Sequence, residues 1–150
     1  MEKQVVYTFP GTERTDPETG KGIPGSADTV TLTIGTASAL DYARYEALRW
    51  ETSKWFRDKA GFNSWETPAE LTPEQEAAVR VMDVGVHRAY MLPCVKRIEW
   101  SGEPVMDLVG LSIEAFANDL PAGLYNKWKR AALECNPQIF WPDASSEGKG

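Results

Sequence analysis

The stretch from Ile98 to Asn136 constrains the fold more than any other, because the start and stop signals of three consecutive elements lie inside it. A β-type run ends at Ile98-Glu99-Trp100, and Ser101-Gly102-Glu103-Pro104 supplies a turn. Ser112 stands where the cap of a short helix through Ile113 and Phe116 belongs. Pro121 suits the first turn of a further helix, in which Leu124, Trp128, Ala131 and Cys135 share one face. Asn136-Pro137 stops it.

Upstream, Val5, Tyr7 and Phe9 alternate with Val6 and Thr8, and Val30, Leu32 and Ile34 alternate with Thr29, Thr31 and Thr33. A period of two with β-branched residues predicts two strands, each with one buried face. Residues 10–28 between them are rich in Gly, Pro, Thr and charge, and are expected to form a flexible loop across which the strands pair. Ser38, with Asp41 three residues on, opens a long helix expected over residues 39–59 and ended by Gly61. Leu40, Ala43, Ala47, Trp50 and Lys54 mark one side of this helix, and Tyr45, Leu48, Thr52 and Trp55 mark another. Thr72-Pro73-Glu74-Gln75 starts the next helix, which Pro93 ends; Gly85 in its middle costs about 1 kcal/mol of helix propensity and predicts a close neighbour there.

These signals predict a mainly α fold with a small N-terminal β element (α+β) and a short strand and turn near residues 95–105. Residues 1–141 fit a single domain, and the small polar residues 142–150 read as a disordered tail. The chain has 42% hydrophobic and 25% charged residues, a balance that supports a packed core. Its net charge of −6 argues against a nucleic-acid groove, and no apolar run reaches the roughly 20 residues that cross a bilayer, so a cytoplasmic protein is expected.

Catalytic patterns are thin. His87, the sole histidine, has Asp83 one helical turn before it, but two ligands make no zinc site and no nucleophile motif accompanies them. Gly20, Gly22 and Gly25 lack the Gly-Lys-Ser/Thr of a phosphate loop. Cys94 and Cys135 match no metal spacing and are expected as buried thiols. A non-enzymatic chain without cofactor or metal is the expectation. Six tryptophans in 150 residues then become the main clue to binding. Trp50, Trp100 and Trp128 are expected in the core; Trp55, Trp65 and Trp141 lie near element ends or connectors, where aromatics mark interfaces. With Phe140 beside Trp141, the predicted partner-binding residues are Trp55, Trp65, Phe140 and Trp141.

The order of elements from Val81 to Pro137 resembles the tail assembly chaperones of long-tailed bacteriophages. The residues that carry it are Ile98-Glu99-Trp100, the Ser101-Gly102-Glu103-Pro104 turn, Ser112 with Phe116, Leu120-Pro121 with Leu124, and Asn136-Pro137. The resemblance implies a protein that binds the tape-measure protein, keeps its long hydrophobic helices soluble and helps recruit tail-tube subunits in the infected host cell, without entering the mature virion. The alternative is a structural phage protein, such as a head–tail joining or tail-completion subunit. Residues 10–28 and the tryptophan-rich region from Trp50 to Trp65 depart from the family pattern.

Overall fold

The two alternating runs become β1 (Glu2–Thr8) and β2 (Thr29–Gly35), which pair antiparallel with Val5 opposite Leu32 and Tyr7 opposite Val30. The computed structural model describes residues 1–137. β3 (Val95–Trp100) adds to the other side of β2, giving the order β1-β2-β3 with a register irregularity between Thr33 and Ile34. The β element is therefore not purely N-terminal: the short strand expected near residue 95 completes the same sheet, and the protein is a mixed α+β fold. Side chains alternate across a strand, so Val5, Val30, Leu32 and Ile34 all point to one face and are buried there.

Residues 10–28 fold back on themselves. Thr15 bridges Gly22, the Ile23 amide donates to the Arg14 carbonyl at 2.7 Å, and Thr12 Oγ1 ties the Phe9 carbonyl to the Asp28 amide. The helices run where their signals place them. α1 (Ala39–Ala60) has a full capping box between Ser38 and Asp41 and ends on Gly61 in the left-handed region at φ 82°. α2 (Pro73–Met91) has the same box between Thr72 and Gln75. α3 (Ile113–Asp119) is capped by Ser112, and α4 (Ala122–Cys135) follows Pro121, which stands at the cap position, just ahead of the first turn.

α4 covers the inner face of the sheet. Leu124, Trp128, Ala131 and Cys135 are all buried, as their spacing predicts, and Trp128 is fully enclosed with its indole N–H donating to the Met91 carbonyl at 2.9 Å. Burying a side chain of this size stabilises the fold by roughly 2–3 kcal/mol. Phe116 and Phe9, the latter stacked on Trp100 with centroids 5.5 Å apart, complete the main core. A smaller cluster, Phe56, Ala60 and Ala78, seals α1 against α2. Gly85 sits where these helices and α3 meet: a Cβ there would lie 2.8 Å from Thr52 Cγ2 and 3.3 Å from Ile113 Cγ2. The close neighbour predicted for this glycine is Thr52.

Candidate interaction surface

The site begins with the two apolar stripes of α1. An α-helix advances about 100° per residue, which places Leu40, Ala43, Ala47 and Trp50 roughly opposite Tyr45, Thr52 and Phe56. The second set is buried and the first is exposed, with Leu40 at 80% and Trp50 at 68%. Trp50 therefore stands at the surface and not in the core, contrary to expectation. The reason is that α2 packs on the Tyr45–Thr52–Phe56 side, and no described helix or strand covers the other.

Trp50 does not stand alone. The connector after Gly61 brings Trp65, 76% exposed, to the same place. The two indoles flank a surface groove of about 350 Å³, with Lys54 and Arg57 from α1 and Asn63 and Ser64 from the connector in its walls. Neither Lys54 nor Arg57 has an ion-pair partner among the described residues. An indole held in water contributes little to folding, while a contiguous apolar patch rimmed by charge favours association.

Trp55 is placed differently. It is half-buried between α1 and α3, and its indole N–H donates to Glu114 Oε1 at 3.0 Å, an atom that Lys59 also approaches at 3.4 Å. The Trp55 hydrogen bond and the Lys59 contacts hold the Glu114 carboxyl below the usual range. So of the predicted partner-binding residues, Trp65 lies in the groove and Trp55 lies at a helix junction outside it; Phe140 and Trp141 fall outside the described residues. The Leu40–Ala43–Ala47–Trp50 spacing marks an apolar face of α1 but carries no signal that this face, and Trp50 with it, is left uncovered.

The other candidates form no comparable site. His87 is half-buried on α2, its Nδ1 hydrogen-bonded to the Tyr125 hydroxyl of α4. Burial first and then the Lys129 ammonium hold its pKa below the ordinary histidine value, against the pull of Asp83. Cys94 and Cys135 are both buried free thiols. Among the described residues no three His, Cys, Asp or Glu side chains group as metal ligands, and no helix is long and apolar enough to cross a membrane.

Fold and surface together define a mixed α+β protein with an outward aromatic groove on its longest helix. Compared with known proteins, the chain matches no family model, no curated protein and no solved structure.

Proposed function

We propose that the protein is a non-enzymatic binding protein that shields apolar helical segments of a client, and specifically a tail assembly chaperone of a long-tailed bacteriophage. Its client in that role is the tape-measure protein, held soluble in the cytoplasm of the infected cell while tail-tube subunits are recruited, and the chaperone is absent from the finished virion.

The observation that carries the proposal is the two-sided α1. From Leu40 to Trp50 the outer stripe spans about 15 Å, or about three helical turns. That length matches one apolar stripe of a client helix laid along it. Covering two large exposed side chains such as Leu40 and Trp50 is worth roughly 3–6 kcal/mol before ordering costs are subtracted. That gain alone does not exceed the cost of association, so the hold needs Trp65 and further client contacts and stays weak, which suits a client that must later be surrendered to the tail.

The test is co-expression with a tape-measure protein, followed by affinity capture and measurement of the soluble client. Trp50→Ala with Trp65→Ala should lower both while leaving the far-ultraviolet circular dichroism unchanged. Undiminished capture by that variant overturns the proposal. Finding the protein in purified virions by mass spectrometry would instead favour a structural tail or head–tail joining subunit.

A further inference from the structure

The two rims of the sheet are built differently. The β3 rim carries Lys96, Arg97 and Glu99, and the register irregularity lies between β2 and β3, features that discourage a further strand. On the β1 rim the charges, Glu2 and Lys3, are confined to the first two residues, and the pairing with β2 runs without irregularity from Glu2–Gly35 to Thr8–Thr29. Antiparallel pairing alternates the direction of backbone groups, and the Phe9 amide, in register with the ladder, donates to the Asp28 carbonyl at 2.8 Å. The odd residues of β1 therefore face β2, and Gln4, Val6 and Thr8 turn their amides and carbonyls outward. At the far end the Gly35 amide, opposite Glu2, donates to Cys94 at 2.9 Å, which fits the same alternation. Lys127 Nζ reaches the Val6 carbonyl from α4 at 3.3 Å, on the open side.

Along this rim, β1 and α4 enclose a groove of about 390 Å³, lined by Gln4 and Val6 on one side and by Lys127, Arg130 and Ala131 on the other. Lys3 pairs with Glu134 across it. Lys127 and Arg130 have no carboxylate partner among the described residues, so the groove carries two uncompensated cations within a chain of net charge −6.

We propose that the β1 rim accepts a fourth strand from a partner protein: an extended segment with carboxylates at alternate positions. Its backbone bonds the outward groups of Gln4, Val6 and Thr8. Its carboxylates, all on one face because side chains alternate, meet Lys127 and Arg130. An incoming amide takes the place of Lys127 at the Val6 carbonyl and frees that ammonium for the ligand. This surface is separate from the α1 groove and does not depend on the role proposed for it.

Fluorescence anisotropy with the full chain tests this, using a labelled peptide that alternates Glu with Val and a matched peptide that alternates Lys with Val. The Glu peptide should bind about tenfold or more tightly than the Lys peptide, and Lys127→Glu with Arg130→Glu should reverse the preference. Val6→Pro removes an outward amide without touching the β1–β2 ladder, so it should weaken binding about tenfold with an unchanged dichroism spectrum. Trp50→Ala should bind the peptide normally, which separates this surface from the chaperone groove. No saturable binding of the Glu peptide, or an unaffected Val6→Pro variant that is folded, overturns the proposal. If Val6→Pro is unfolded, the charge-reversed pair decides alone. A dimer of the wild-type chain that Lys127→Glu with Arg130→Glu dissolves assigns the rim to a second copy and overturns the partner segment.

Discussion

Gly85 on α2 presses against Thr52 on α1 so closely that an added Cβ would stand 2.8 Å from the threonine methyl. Thr52 is itself buried and donates its hydroxyl to the Leu48 carbonyl at 2.9 Å. Gly85→Ala brings a helix-propensity gain of about 1 kcal/mol, opposed by an overpacking cost of about 1–3 kcal/mol. The expected net effect is a loss of about 1 kcal/mol, read as a lower urea midpoint. Thr52→Ser removes the methyl and keeps the hydroxyl, so the double variant should recover stability relative to Gly85→Ala alone. A Gly85→Ala variant more stable than the parent contradicts this packing.

Asn136 closes the domain. Its Oδ1 accepts from the Ala37 amide at 2.7 Å, and its Nδ2 donates to the Gly35 and Ala132 carbonyls at 3.2 and 3.0 Å, with the residue 1% exposed. One side chain thus ties the end of α4 to the passage from β2 into α1. Asn136→Ala leaves a buried amide and carbonyls without partners and should cost about 2–4 kcal/mol in urea unfolding. Asn136→Asp keeps the acceptor for Ala37 but turns a carboxylate toward the two carbonyls, and should be at least as damaging.

The tryptophans should separate by consequence. Trp128→Ala empties the core and should cost about 3–5 kcal/mol. Trp50→Ala and Trp65→Ala should stay within about 0.5 kcal/mol of the parent. Acrylamide quenching of the native protein should fall when Trp50 and Trp65 are replaced. A large stability loss at Trp50 would show that its face is covered.

His87 predicts a pH dependence. Its folded pKa lies below the ordinary value near 6.5 because burial, and then Lys129, disfavour the imidazolium. The unfolded chain therefore takes up the proton first, and stability that is complete above about pH 6.5 is lost as pH falls through the folded pKa. The groups facing the ring are Lys129, Tyr125 and Tyr90, with Asp83 acting in the opposite sense. The urea midpoint should drop between about pH 7.5 and pH 5.5 in the parent, and His87→Gln should reduce that drop. An equal drop in the variant would assign the dependence to other groups.

Where signals are local, the sequence was legible. Ser38 with Asp41, Thr72 with Gln75, Ser112 and Gly61 cap their own backbone, and the bonds they form span at most four residues. The α4 stripe was equally plain, because apolar side chains at one helical spacing leave only one face to bury. Of the two tryptophans that flank the α1 groove, the sequence singled out Trp65 as exposed near a connector and placed Trp50 in the core. α1 carries two apolar stripes, and periodicity reports that each is a face without saying which one another helix will cover.

The ends of the helices, the alternating strands and the apolar face of α4 follow from patterns among near neighbours in the chain, and the sequence was enough for them. Tertiary structure alone decided that β3 completes the β1–β2 sheet, that Gly85 gives room to Thr52, and that Tyr45, Thr52 and Phe56 turn inward while Leu40 and Trp50 face solvent. These depend on which distant surfaces meet, and burial is a property of the pair of surfaces rather than of either one.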